Sequence, residues 1–411
     1  MSDGNNVQLP RSPFADLRVI ELGSFVSVPW AGRILADLGC DVIKVEPPEG
    51  DVSRRYGPFP NDEFDPEESG LFLYLNANKR GIVLDWRTAD GHGTLLELVG
   101  SADVLLVDLP PREQEELGLT YAHLEGRNPR LVVTSVTPFG MSGPYAHRRA
   151  YDINISAAAG VSYGIGERGR APLVLPLFQC SFQGGGAAAA ATLTALLARD
   201  MVTGRGQQVE VAVEEVLATQ HAGRALPTFI YRGITGARSG RRPRYGLYPQ
   251  TVMPCKDGYV AFSAPQLQQW IRFVKVIGEP EWTKLPRYRD RRAMAEEYPD
   301  EVDALLLPWF MERTKEEILR IALEHELPFA PFLTGSDILS HPHFVERKSI
   351  VDFSGAGKRY WGPGPQFRMF RLPIRFRRRA PRLGEHTNEV LSEMRRIRSD
   401  VTTDGSFAVG D

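Results

Sequence analysis

Five short apolar runs alternate with helically spaced segments over the first 135 residues, and this rhythm constrains the fold more than any other feature of the chain. Residues 17–22 read as a β-branched strand, 30–38 carry helical spacing and 41–45 form a second short strand, which together make a βαβ unit. Gly39 stands where a helix ends on a left-handed residue, and Pro47-Pro48 stops the second strand. The pattern recurs as strands at 82–84, 104–107 and 131–135, with helices over 92–99 and 121–125 between them. Repeated alternation of apolar strands and helices predicts an α/β fold, a doubly wound parallel sheet covered by helices.

An Ala- and Gly-rich helix is expected over 184–198, too short to span a bilayer and small enough in its side chains to pack closely inside a protein. Residues 204–216 read as a turn and a strand entering a further helix, and 232–244, rich in Arg and Gly, as a loop. A strand restarts at 258–263, and helices containing Trp270 and residues 314–324 suggest a smaller α+β domain. The expected division is a large domain at 14–225, a linker at 226–250, a small domain at 251–340 and a return to the large domain at 341–400, with tails at 1–13 and 401–411. Seven arginines lie among Phe and Pro at 368–382, and this stretch is expected to be a strand whose arginines pair with acids rather than a nucleic-acid arm.

The formal charge of −2, from 49 basic and 51 acidic residues, gives no global field for nucleic acid or an anionic membrane, and neither is an expected partner. Three widely spaced cysteines, Cys40, Cys180 and Cys255, form no metal or disulfide pattern, and His341-Pro342-His343 has no third ligand nearby, so no metal is expected. The polar start of the sequence does not read as a secretory signal, and a cytoplasmic location is expected.

The segment LRVIELGSFVSVPWAGRILADLGCDVIKVEPPEGD at 17–51 resembles the opening of the family III CoA-transferases. The likeness continues through LNANKRGIVLDWRTADG at 75–91, ELGLTYAHLEGRNPRLVVTSVTPFGMSGP at 116–144, AYDINISAAAG at 150–160 and TGRGQQVEVAV at 203–213. It resumes with CKDGYVAFS at 255–263, HPHFVERKSIV at 341–351 and PRLGEHTNEVL at 381–391. The resemblance implies a Rossmann-like large domain built from both chain ends, a smaller middle domain and an interlocked dimer. It also implies a CoA thioester as substrate.

Moving CoA between acids suits a carboxylate nucleophile, which forms a reactive anhydride and then an enzyme-bound thioester. The resemblance places that aspartate near the start of the Ala-rich helix. Counting back from Ala195-Leu196-Leu197-Ala198-Arg199, the position falls on Ser181, or on Cys180 or Gln179 if the register slips, and no Asp or Glu lies between Glu167 and Asp200. Neighbouring family positions are also altered: only Pro29 is kept in the loop at 24–29, Glu116 replaces a phosphate-binding arginine, and Asp108-Leu109-Pro110 replaces an Asn-Phe motif. A carboxylate beside a diphosphate repels it. Leu84, Trp86 and Arg87 match the segment used around the adenosine and its 3′-phosphate, and Arg149, Tyr151 and Asp152 match a further set of CoA contacts. Lys79-Arg80 reads either as a phosphate contact or as a solvated corner.

Three readings follow. The chain is a non-catalytic subunit paired with a homologous catalytic CoA-transferase subunit that keeps the aspartate; or a self-sufficient transferase or racemase with a rearranged site; or a scaffold of the same fold. The first predicts that the isolated chain is inactive.

Overall fold

Parallel strands covered on both faces need near-continuous apolar runs, and the first half of the chain supplies them. The computed structural model describes residues 12, 14–167, 169–235, 238, 240–242, 246–353 and 360–404. Its opening elements are β1 (Arg18–Leu22), α1 (Ser27–Leu38), β2 (Asp41–Glu46), α2 (Gly70–Asn76), β3 (Arg80–Val83), α3 (Ala89–Gly100) and β4 (Val104–Val107). They continue through α4 (Pro111–Glu116), α5 (Tyr121–Leu124), β5 (Val132–Thr137), α6 (Asp152–Ala158), α7 (Gln179–Ala198), β6 (Gln208–Ala212) and α8 (Val213–Arg232).

The six strands make one parallel sheet in the order β3-β2-β1-β4-β5-β6. Every residue of β4 and β5 is buried, as sheet-centre strands between helical layers must be. The order reverses between β1 and β4, which opens a crevice outside their carboxyl ends, the place where doubly wound sheets bind ligands. All five strands expected in the first 135 residues form, within about two residues of their expected bounds.

The Ala-rich helix explains itself by its neighbours. A Cβ on Gly185 of α7 would stand 2.3 Å from the Ser27 carbonyl oxygen at the start of α1, so only glycine lets these two helices close. Gly39 ends α1 at φ 114°, a conformation in which it satisfies carbonyls of the last helical turn.

The chain divides into two compact units, one holding residues up to Ala159, Leu175–Ala222 and Glu346 onward, the other Gly160–Val174 and Gly223–Val345. The large unit is thus built from both chain ends. Residues 226–250, expected as a linker, fall in the second unit and begin with the last turns of α8. The small unit carries β7 (Gln250–Cys255), β8 (Gly258–Ser263), α9 (Leu267–Val276), α10 (Arg291–Glu296), α11 (Pro299–Met311), α12 (Lys315–Glu324), β9 (Ala330–Pro331) and α13 (Gly335–Ser340), and α14 (Pro342–Glu346) leads out of it. The β7-β8-β9 sheet is antiparallel, and the Phe262 ring packs edge-on or tilted against Phe273, Phe310 and Phe329 at 4.8–5.0 Å.

Back in the large unit, β10 (Ile350–Asp352) pairs with β11 (Trp361–Pro363), and α15 (Thr387–Asp404) closes the described chain. The arginine-rich stretch at 368–382 contains no strand, contrary to expectation. Its backbone and side chains have other partners: the amides of Arg377 and Arg378 donate to Asn78 Oδ1, and the Arg377 guanidinium donates to the carbonyls of Ala36 and Gly39 at the end of α1. A cation on the carbonyls at a helix C-terminus is favoured by the helix dipole.

Candidate active site at the head of the alanine-rich helix

α7 begins abruptly. Leu177 and Phe178 both hold left-handed backbone conformations, φ 54° and 56°, just before its first turn, a strained geometry for residues with side chains. The turn sets the Phe178 ring edge-on to Phe25 at 4.7 Å, while Phe25, itself at φ 63°, packs on Tyr56 at 4.8 Å. The three rings form one aromatic cluster against the helix head.

The first-turn amides of α7 are satisfied from outside the helix. Asp152, the first residue of α6, accepts from the backbone N–H groups of Cys180 (2.9 Å) and Ser181 (3.3 Å) with Oδ2, and from the Ser181 hydroxyl (2.5 Å) with Oδ1. A carboxylate on free amides at a helix N-terminus is stabilised by the hydrogen bonds and by the dipole. The stretch 168–199 contains no acid, yet the folded chain brings one to the helix head from 29 residues upstream of Ser181. Asp152 thus sits with Ser181 and Cys180 at the helix head. Its neighbour Tyr151 is 78% exposed and its backbone N–H donates to Asn154 Oδ1; Arg149 is exposed.

Ser181 is almost fully buried and hydrogen-bonds through its hydroxyl to Asp152, with no histidine in the pair. Cys180 is buried; its Sγ donates to the Asp152 backbone carbonyl, and burial and the Asp152 carboxylate push its thiol up to about 12. That keeps it a thiol at neutral pH, not the thiolate that nucleophilic attack requires. Gln179 turns away from this cluster and lines a separate cleft.

The other expected CoA contacts sit beyond β3. Leu84 and Trp86 pack on the apolar core, and the buried Trp86 Nε1 has no hydrogen-bond partner. Arg87 is exposed, and its guanidinium is bracketed by Glu49 (2.8 and 3.1 Å) and Asp85 (2.6 Å). A phosphate there has to displace a carboxylate. Glu116 is exposed and pairs with Arg112 one helical turn back.

Lys79 and Arg80 are neither a solvated corner nor a phosphate contact. Lys79 is fully buried, with Nζ 2.7 Å from Glu21 Oε2, 2.7 Å from the Pro29 carbonyl and 2.8 Å from Asn76 Oδ1. Burial holds its ammonium down to about 8, against the opposing pull of Glu21. Arg80 spans Asp41, Glu389 and Glu393, tying β3 to β2 and α15.

Lys79 is one end of a buried charge lattice under the crevice, which motif reading missed. Lys44 Nζ lies 3.1 Å from Glu21 Oε1, 2.7 Å from Asp51 Oδ2 and 3.0 Å from the Gly23 carbonyl. Burial disfavours its charge, but Asp51, Glu21 and Glu46 outweigh that and hold its ammonium above the ordinary value. Glu46 forms a two-pronged pair with Arg54 at 2.7 and 2.8 Å. The lattice and Asp108 clamp the loop after β1: Lys44 takes the Gly23 carbonyl, Asp108 accepts from Ser24 N–H (2.9 Å) and Asp51 from Phe25 N–H (3.1 Å). Loop amides of this kind cradle phosphate in other doubly wound proteins. Here two of them are occupied by the chain's own carboxylates. Burial pushes the Asp108 carboxyl up to about 7.

Among the described residues no group of His, Cys, Asp and Glu is arranged to hold a metal ion, and no helix is long and apolar enough to cross a membrane.

Known proteins fit this geometry. The chain is 30% identical over 401 residues to the succinate–glutarate CoA-transferase of Agrobacterium fabrum, covering 95% of this chain and 98% of that one. It is 31% identical over 399 residues to succinyl-CoA:(R)-benzylsuccinate CoA-transferase subunit BbsE of Thauera aromatica, covering 92% and 94%. The fold superposes on the crystal structure of a CaiB/BaiF family protein from Brucella suis with a TM-score of 0.85 at 28% identity, over 94% of this chain and all of that one. The sequence matches CoA-transferase family III over residues 14–387, and the chain belongs to that family.

Proposed function

We propose that this chain is the supporting subunit of a heteromeric CoA-transferase, which moves CoA from a thioester donor such as succinyl-CoA to a carboxylic acid while a homologous partner subunit supplies the nucleophile. The observation that carries this reading is the chemistry at the head of α7: a serine stands where an acyl-accepting aspartate is expected, and the nearby Asp152 is engaged by three donors of the helix head. A nucleophilic carboxylate displaces CoA thiolate from the donor thioester to give a mixed anhydride. The thiolate then attacks the enzyme's own carbonyl, releasing the donor acid and leaving an enzyme thioester. Serine attacking the donor thioester releases CoA thiolate and gives an ester, whose alkoxide leaves poorly, and since serine has no carbonyl of its own neither an anhydride nor an enzyme thioester follows.

Two further features support the reading. The loop amides at Ser24 and Phe25 are committed to Asp108 and Asp51, and Arg87 is committed to Glu49 and Asp85, so a CoA phosphate meets the chain's own carboxylates at these positions. In this proposal the partner holds the reacting thioester, and this chain contributes the fold on which the partner assembles. Benzylsuccinate as the acceptor rests on likeness to the Thauera subunit.

One observation favours a second reading, a self-sufficient enzyme: the 2.5 Å contact makes Asp152 the carboxylate nearest the expected nucleophile position. Its three hydrogen bonds stabilise its charge and weaken it as a nucleophile. The experiment is to assay succinyl-CoA-dependent thioester formation by the chain alone and mixed with a homologous subunit that carries the aspartate. Activity only in the mixture, unchanged by Asp152→Asn, supports the first reading. Activity of the chain alone, abolished by Asp152→Asn with the fold intact, overturns it in favour of the second.

A further inference from the structure

Opposite the Ser181 face, α7 walls a separate cleft of about 720 Å³ that lies wholly in the large unit. Six aromatic residues, Trp30, Tyr74, Phe178, Phe182, Tyr360 and Trp361, line it. They are held rigidly: Trp30 stacks on Tyr74 at 5.5 Å, Phe182 stands edge-on to Trp30 at 5.3 Å, and the Tyr360 hydroxyl donates to the Gly70 carbonyl at 2.8 Å. Its volume falls within the range of small-molecule sites, about 300–1,000 Å³.

Three observations define what fits. Among the described residues no charged side chain lines the cleft, and the nearby Arg33 is spent on Asp37 at 2.7 Å and on the Tyr74 carbonyl, so a phosphate or buried carboxylate finds no counter-ion among them. The lining rings favour a flat apolar group through offset and edge contacts. Gln183 lines the wall, and its Oε1 is shut away without a donor, a costly arrangement that a turn of its side-chain amide toward a ligand N–H or O–H relieves.

We infer that this cleft binds an uncharged aryl group carrying one hydrogen-bond donor, a phenol or an anilide-type ring, with any carboxyl or thioester end of the same molecule left at the open mouth where Leu177 and Trp361 are half or more exposed. The site is one of recognition, apart from the Ser181–Asp152 pair, and it stands whether or not this chain performs transfer.

Gly186 provides the test. It lines the cleft, and a Cβ added there meets nothing within 4 Å, so Gly186→Leu fills the space without straining α7. The full chain is titrated with 3-(4-hydroxyphenyl)propanoate and with 3-phenylpropanoate, reading saturation transfer to the ring protons and the emission of the cleft tryptophans. The hydroxylated probe is expected to bind about tenfold more tightly, as one hydrogen bond to a buried acceptor provides. Gly186→Leu is expected to abolish binding of both probes with the unfolding midpoint retained, and Gln183→Met to equalise them. Absence of ring saturation at millimolar probe, or binding that survives Gly186→Leu, overturns the inference. So does dissociation of a homo- or hetero-oligomer by Gly186→Leu in sedimentation, which reassigns the cleft to a subunit interface. Failure of CoA transfer by the mixed subunits leaves probe binding untouched, so the two proposals fail separately.

Discussion

The charge lattice under β1 and β2 and the carboxylate at the head of α7 answer the same problem in opposite ways. In the lattice, Glu21, Lys44, Asp51 and Lys79 are buried and each charge faces an opposite charge at 2.7–3.1 Å. At the helix head, among the described residues, a single carboxylate accepts from neutral donors, two amides and a hydroxyl. The first arrangement is rigid and leaves no charge free for a ligand. The second gives an acid that can be exchanged without exposing a bare cation. Charged residues near a ligand crevice are therefore not functional by position alone; what faces them decides.

The largest effect is expected in the lattice. Lys44→Met leaves Asp51 without its cation, while Glu21 keeps Lys79, and removing one partner of a buried pair costs about 3–5 kcal/mol. Urea unfolding of the variant measures this; a loss below about 1 kcal/mol refutes the view that the lattice holds the crevice loop. At the helix head the effect is smaller. Asp152→Ala strands the amides of Cys180 and Ser181 and is expected to cost about 1–3 kcal/mol, with Asp152→Asn recovering part of it by accepting through its amide oxygen. Equal losses for the two substitutions contradict the capping role.

Asp108 sharpens the comparison by its pH dependence, being an acid beside the lattice that forms no ion pair among the described residues. Its folded carboxyl titrates near 7, above the ordinary value of about 3.9 for an unfolded aspartate. Between those values the native state holds the proton more tightly than the unfolded one, so stability falls as pH rises through this window and levels off above it. Asp108→Asn is expected to remove that slope in chemical unfolding measured from pH 4 to 7.5; an unchanged slope assigns it to other groups. The smallest effect belongs to the exposed Arg87, whose replacement by Ala is expected to leave the unfolding midpoint unchanged, since exposed ion pairs contribute little.

Some of this site was readable in the sequence and some was not. That no acid stands between Glu167 and Asp200 is a local fact, and counting back from the end of α7 puts the expected acid at Ser181, or at Cys180 or Gln179 if the register slips. The identity of its partner was not visible, because Asp152 starts another helix and reaches Ser181 only when α6 and α7 meet. Lys79-Arg80 reads in the sequence as either a phosphate contact or a solvated corner, because chain order does not show what faces a basic pair; Glu21, Asp41 and the acids of α15 convert the pair into structure. The arginine-rich run at 368–382 looked like a strand from its apolar spacing, but its amides are claimed by Asn78, nearly 300 positions away.

The sequence alone determined the doubly wound sheet, because strand and helix periods are local properties written into neighbouring residues, and it determined which side chain stands at the start of the alanine-rich helix. Tertiary structure decided which charges neutralise one another and which amides remain for a ligand, since Coulomb energy and hydrogen bonding depend on separations of a few ångströms that chain order does not encode.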